Sequence, residues 1–274
     1  MLDQITPVVL TRNESPNIAR TLAAVAWARD IVVVDSESDD DTLTLAGGFP
    51  QARIFSRRFD SHAQQWQFAI DDTGIGSEWV LALDADYVLD APLVDELRDL
   101  APPPGVTGFE ARFLYCIRGH ALRGGLYPSH TVLFRRQGAR FVQDGHTQRL
   151  LTDGAVLRLD GYIRHDDRKP LAAWLTAQAR YARLEAEKLH CMPKDKAKGM
   201  DALRRARWIA PLLMPFYCLV VKGLALEGWR GMYYAMQRTY AEALISLFLL
   251  EAALLRKDAR SPPVPGQGEE PPST

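Results

Sequence analysis

The feature that most constrains this chain is the alternation within its first hundred residues. Three apolar runs rich in β-branched residues, 5–11 (ITPVVLT), 31–34 (IVVV) and 79–83 (WVLAL), are separated by stretches with helical spacing, as at Ile18, Leu22, Val25 and Ala26 within 17–28. Further helices are expected at 40–47 and 64–71, with a short strand at 52–55 between them. Continuous apolar runs suit strands buried on both faces, so the alternation predicts an α/β fold with a mostly parallel sheet covered by helices. In open sheets of this kind ligands sit beyond the carboxyl ends of the strands. The residues to inspect are therefore Thr11 to Glu14, Asp35 to Asp41 and Asp84 to Asp86.

Composition narrows the class. With 274 residues, 47% hydrophobic and 24% charged, the chain is neither disordered nor a polytopic membrane protein. Its cysteines, Cys116, Cys191 and Cys218, are odd in number, far apart and without a CxxC pair, so no disulfide framework or zinc ribbon is expected and a reducing compartment is the default. No basic segment followed by an apolar one precedes the first run, and secretion is not expected.

Charge is unevenly spread. Residues 1–110 hold 7 Arg against 14 Asp and 5 Glu, whereas 164–238 hold 15 Lys plus Arg against 7 Asp plus Glu. An acidic front suits a site for a metal cation, and a basic, aromatic-rich back suits an anionic surface; a solvated charged helix is the plainer alternative for the latter.

Residues 102–165 mix strand candidates (107–115, 131–135, 155–159) with glycine-rich turns, and 171–190 read as a charged amphipathic helix. The run 208–226 (WIAPLLMPFYCLVVKGLAL) approaches the ~20 residues of a membrane span, but Pro211, Pro215 and Lys222 interrupt it. An interfacial or re-entrant hairpin is expected instead, with a helical pair buried on the main domain as the alternative. A second apolar stretch, 241–255, carries Glu242 and Glu251 and is short for a span. The expected division is a catalytic domain over 1–165, a helical membrane-associating or acceptor region over 166–258, and a disordered proline-rich tail over 259–274.

The chemistry sits at two acidic clusters. Asp84-Ala85-Asp86 ends an apolar strand, and residues i and i+2 of an extended backbone share a face, so two hard oxygen donors meet one cation. Mg²⁺ or Mn²⁺ held by one or two carboxylates and a diphosphate is the usual economy of such sites. Asp35 follows the strand 31–34 and is placed to accept from a base or ribose, while the aspartates after it are expected mainly to cap the next helix.

Together, VVLTRNE (8–14), IVVVDSESDDDT (31–42), QQWQFAI (64–70) and WVLALDADYVL (79–89) resemble family 2 glycosyltransferases of the GT-A fold, a Rossmann-like mixed sheet flanked by helices, especially the branch of bacterial lipopolysaccharide core-biosynthesis enzymes. The resemblance implies a nucleotide-sugar donor held by Thr11, Asn13, Glu14, Asp35, Gln65 and Asp84, with the metal at Asp84 and Asp86. LRGGLYP (122–128) and LFRR (133–136) also resemble that branch, which suggests that Gly124 and Gly125 let backbone approach the sugar and that Arg135, Arg123 or Arg136 meets phosphate. Related enzymes carry His-Glu where this chain has His146-Thr147, so their glutamate base has no counterpart here. Inverting transfer needs a group that takes the proton of the acceptor hydroxyl. Asp144 is nominated for that role with His146 as its neighbour, and 165–169 (HDDRK) is the reserve cluster.

The expected activity is transfer of a sugar, most simply from a UDP-sugar, to a lipid-linked or envelope glycan such as lipopolysaccharide core. The expected cofactor is a divalent cation. The expected location is the cytoplasmic face of the inner membrane, against an anionic surface, with no role in nucleic-acid binding. A polyprenyl-phosphate glycosyltransferase, an inactive scaffold of the same fold and a nucleotidyltransferase are the alternatives; VVLTRNESPN lacks the glycine-rich phosphate loop of the last.

Overall fold

The structure is a computed structural model, and it describes residues 1–144 and 147–258. The chain opens with β1 (Ile5–Thr11), α1 (Ile18–Ala24), β2 (Ile31–Asp35), α2 (Thr42–Ala46), β3 (Ala52–Ser56), α3 (His62–Asp71) and β4 (Trp79–Asp84). Then follow β5 (Tyr87–Leu89), α4 (Ala91–Asp99), β6 (Val106–Ile117), β7 (His120–Ala121), β8 (His130–Arg135), β9 (Arg140–Asp144), β10 (Thr147–Leu151) and β11 (Ala155–His165). The main sheet has the order β3-β2-β1-β4-β8-β6-β11-β5, with β7 paired to β6, while β9 and β10 form a separate hairpin.

The expected α/β architecture is present, and the β1 to β4 portion is parallel as the alternation predicts. Beyond β4 the sheet becomes mixed: β8 runs antiparallel to both β4 and β6, and β11 returns parallel to β6. Because side chains alternate across a strand, β1 sends Ile5 and Val9 into a core shared with α1 and α4, and Val8 into a second core under Trp66 of α3. Two elements end differently from expectation. α1 stops at Ala24, where the Trp27 indole N–H donates to the Ala24 carbonyl and closes a turn. β11 continues six residues past the strand expected at 155–159, carrying His165 level with Tyr87 of β5 and Tyr115 of β6.

The second half is helical: α5 (Leu171–Cys191), α6 (Met200–Arg205), α7 (Ile209–Phe216) extended by a π turn (Tyr217–Val221), and α8 (Trp229–Asp258). The apolar stretch expected at 241–255 is part of this single thirty-residue helix. α8 packs against both α5 and α7. Arg204 of α6 ties the tier together, donating to both oxygens of Glu242 on α8 (2.9 and 2.7 Å) and to Glu185 on α5 (3.3 Å). Among the described residues no helix is long and apolar enough to cross a membrane.

Candidate active site

The registers Thr11 with Asp35 and Leu10 with Asp84 bring the carboxyl ends of β1, β2 and β4 to one rim of the sheet. β11 reaches the same rim, since His165 lies opposite Tyr87 of β5 and Tyr115 of β6. Four of the acidic or imidazole-bearing positions singled out by sequence, Asp35, Asp84, Asp86 and His165, thus end strands of one sheet or, for Asp86, lie in the turn joining β4 and β5.

Asp86 is 8% exposed and accepts from His165 Nε2 at 3.0 Å. Burial alone would raise its pKa; the charge and hydrogen bond of His165, with help from Lys169, outweigh this and hold it below the usual carboxylate value. The reverse holds for Asp84, which burial and the neighbouring Asp86 charge push upward. His165 is held above its ordinary value: burial disfavours its charge, but Asp86 and then Asp84 reverse the balance. Its ring is boxed edge-on by Tyr87, Tyr115 and Tyr127, at centroid distances of 5.4, 5.0 and 4.4 Å.

Next to this pair lies a dense ion network. Glu14 accepts from Asn17 at 2.7 Å and pairs with Lys169, while Asn17 also donates to Asp167 at 2.9 Å. Arg20 on α1 donates to the Asp166 carboxylate and carbonyl, both at 2.7 Å, and the Asp166 N–H donates to the Asp86 carbonyl at 3.0 Å. Burial first, then Asp86, raises Glu14 to about 7, in spite of Lys169. The 165–169 cluster is therefore built into the rim itself and clasps the loop after β1.

The loops after β1 and β2 brace each other. Asn13 sits at φ 53, a left-handed conformation that asparagine tolerates, and its side chain exchanges hydrogen bonds with Asp39. Asp35 is fully buried and accepts from the Ser38 N–H at 2.8 Å and from its hydroxyl. Among the later aspartates Asp40 is the cap, accepting from Thr42 and Ser15, while Asp41 makes no side-chain capping bond. Thr11 is 4% exposed with its hydroxyl oxygen buried and unpartnered, aimed at the same rim position as Asp35.

Several expected site residues lie elsewhere. Arg135 pairs with Trp79 at the first residue of β4, about 17 Å of strand from Asp84; it stacks on Trp79, bridges to Glu78 and donates to the Val106 carbonyl, so its place is structural and not at the rim. Gln65 is 1% exposed and committed to Ser36, the Arg57 carbonyl and the Arg57 guanidinium. It braces the strand-end loop from behind and presents no free amide to a donor. Gly124 and Gly125 approach protein instead of sugar: a Cβ on Gly124 would meet the Lys222 carbonyl oxygen at 2.2 Å, and one on Gly125 would meet the Tyr115 Cβ at 3.1 Å. Arg123 is almost wholly exposed and faces Glu227. Asp144 ends β9 in the hairpin that packs on α3, ion-paired to Lys188 of α5 at 2.9 Å. His146 lies outside the described residues.

Sequence reading missed the aromatic wall. Tyr87 shares a hydrogen bond with Tyr127, and His130 stacks on Phe113 at 4.5 Å. Tyr87 stood directly after the Asp-x-Asp pair, where an aromatic on a buried strand is the available signal; Tyr127 and His130 come from a loop and strand whose return to the rim no local pattern announces.

Among the described residues no three His, Cys, Asp or Glu side chains converge as a preformed metal cage. The donor set nevertheless fits a hard divalent cation that takes the rest of its shell from phosphate and water. Two carboxylates lie two residues apart, the charge of Asp86 raising Asp84, and the His165 Nδ1 beside them is buried without a partner.

Residues 7–109 match the family model for Glycosyl transferase family 2. An uncharacterized glycosyltransferase of Rickettsia conorii is 34% identical over 99 residues, covering 36% of this chain and 34% of that protein; a second, from Rickettsia felis, is 33% identical over 98 residues, covering 35% and 34%. The chain thus matches about a third of the length of these curated relatives. Among solved structures, the mannosyltransferase PcManGT from Pyrobaculum calidifontis, in complex with GDP-Man and Mn²⁺, aligns at TM-score 0.49 and 18% identity over 94% of this chain and 88% of that one. Glucosyl-3-phosphoglycerate synthase from Mycobacterium tuberculosis aligns at TM-score 0.45 and 17% identity, covering 69% and 79%. From β1 to the first residues of β6, the segment that forms the acidic rim, this chain matches glycosyl transferase family 2.

Proposed function

We propose that the protein is a glycosyltransferase that moves a sugar from a nucleotide-sugar donor to an acceptor, with divalent-metal dependence. The observation that carries this reading is the acidic rim: Asp84 and Asp86 at the end of β4, with Asp35 and Glu14 on the neighbouring strand ends. The family match over 7–109 supports it. The buried Thr11 hydroxyl, Asn13 and Asp35 line the base and ribose end, and Asp84 and Asp86 face the diphosphate. A divalent cation bound there supplies positive charge that stabilises the departing nucleoside diphosphate. Lys169 and Arg168, which adjoin the rim through Glu14 and Asp166, add cationic support for the same charge.

For the acceptor we retain a lipid-linked or envelope glycan, lipopolysaccharide core being the example suggested by the sequence resemblance, and a location peripheral to the cytoplasmic membrane face. Tyr87, Tyr115 and Tyr127 pack edge-on around the His165 ring and fix it beside Asp86.

The test is a calorimetric panel of UDP-, GDP-, CMP- and dTDP-sugars with and without Mn²⁺, on the wild type and on Asp86→Asn. Metal-dependent binding of one donor class, lost in the variant, is expected. Silence across the panel from folded protein overturns the reading.

A further inference from the structure

A helix that is apolar all round is covered on every side, by protein or by lipid. α7 and its π turn are apolar all round and covered on one side. Ala210, Met214 and Cys218 point inward, at 2%, 3% and 0% exposure. Leu212, Phe216 and Val220 point outward, at 76%, 60% and 62%. α8 continues this surface: Trp229, Met232, Met236, Tyr240, Leu247 and Leu254 are exposed, and their spacings of three, four and seven residues place them on one stripe.

The charges around this surface are mostly positive. Between Asp201 and Glu242 the chain holds six Lys or Arg and a single carboxylate, Glu227. Glu227 is folded inward, accepting from the Arg123 N–H at 3.3 Å and from His120 at 3.2 Å. Arg204 and Arg205 are spent inside the helical tier, on Glu242 and on the Leu189 and Met192 carbonyls. Lys222 and Arg230 remain at the rim of the apolar face. At the far end of α8 Arg207 joins Arg256 and Lys257 around an open notch of about 410 Å³. Arg256 lies on the opposite side of α8 from the stripe and bonds His190 of α5 at 2.8 Å, so the notch faces away from the apolar surface. At the surface itself the Lys222 ammonium lies over the Tyr217 ring and the Arg230 guanidinium over the exposed Trp229, while Glu251 is the exposed carboxylate on the α8 stripe.

We propose that the outer face of α7, its π turn and α8 docks on an anionic phospholipid leaflet, with Lys222 and Arg230 at its edge meeting the headgroup phosphates. An apolar stripe with cations at its edges is the chemistry of an interfacial helix pair, and with no span among the described helices the protein lies on the leaflet. The inference names the partner surface of the function proposed above, but the two fail separately: donor binding without vesicle binding removes the docking face alone, and the converse removes the donor site alone.

The experiment is flotation of the full chain with vesicles of phosphatidylcholine alone and of phosphatidylcholine with phosphatidylglycerol. Variants are Leu212→Glu with Phe216→Glu, and Lys222→Gln with Arg230→Gln. Each variant is checked for an unchanged melting temperature and unchanged nucleotide binding. Wild type is expected to float with the anionic vesicles. The apolar pair loses flotation, and the Lys222 and Arg230 pair weakens it about thirtyfold. Equal binding to both vesicle types overturns the anionic partner, and no flotation by folded wild type overturns the face. A dimer in sedimentation that Leu212→Glu dissociates assigns the face to a second copy and overturns the proposal.

Discussion

Leu22 and Leu212 are the same residue in two different settings. Leu22, on α1, is 0% exposed and lies in a core with Ile5, Val9 and Leu93; Leu212, on α7, is 76% exposed. The sheet half packs a core on each face of its sheet and pairs a cluster of charges across the loops of one rim. The helical half buries the Arg204 and Glu242 pair and shows a run of large apolar side chains on the outside of α7. A region with a core on both faces of its sheet holds its own fold. A region with apolar surface left over implies something that covers it.

The comparison breaks first at the buried ion pair. Arg204→Ala leaves Glu242, 1% exposed, as a buried charge with its bidentate partner gone, and is expected to cost about 3–5 kcal/mol in denaturant unfolding; a loss below about 1 kcal/mol would show that the clamp does not hold the tier. The leucine pair tests the contrast itself. Leu22→Ala is expected to cost about 2–5 kcal/mol and Leu212→Ala to stay within about 0.5 kcal/mol, and equal losses would mean that α7 is covered in the isolated protein.

At the rim, Glu14 sharpens the comparison through pH. A carboxyl raised from 4.5 to about 7 by burial and Asp86 binds its proton more tightly folded than unfolded. Its contribution is complete below about 4.5 and is lost as pH climbs through about 7, worth at most about 3 kcal/mol in metal-free protein. Melting temperature should fall across that window in the wild type and fall less in Glu14→Gln; parallel curves would remove Glu14 as the cause. The seam between the halves gives the smallest effect. Gly124→Ala places a Cβ against the Lys222 carbonyl and is expected to cost about 1–3 kcal/mol, with no change in nucleotide binding if the seam is structural only.

The parallel half of the sheet and its rim were legible because strand burial and strand-end carboxylates are local signals: 5–11, 31–34 and 79–83 each became a strand of one sheet. The mixed half was not. β11 extends to His165 through pairing with β6 and β5, partners more than forty residues away, and the return of Tyr127 and His130 to the rim is likewise a tertiary event. Arg135 illustrates the opposite error. A cation after an apolar strand fits a phosphate contact, but β8 is antiparallel to β4, so its carboxyl end lies at the other end of the strands from Asp84. Gln65 and the paired glycines were expected to meet the donor and the sugar, and the structure gives them to packing: the Ser36 and Arg57 contacts in one case, Lys222 and Tyr115 in the other.

The most direct measurement of the central claim is a crystal structure with the nucleoside diphosphate of the bound donor class and Mn²⁺, read by anomalous scattering at the manganese edge. The account predicts a manganese peak against the Asp84 and Asp86 carboxylates, bridging to the diphosphate, with the base and ribose toward Asp35 and Asn13. A diphosphate bound away from this rim, or manganese held by residues other than Asp84 and Asp86, would contradict it.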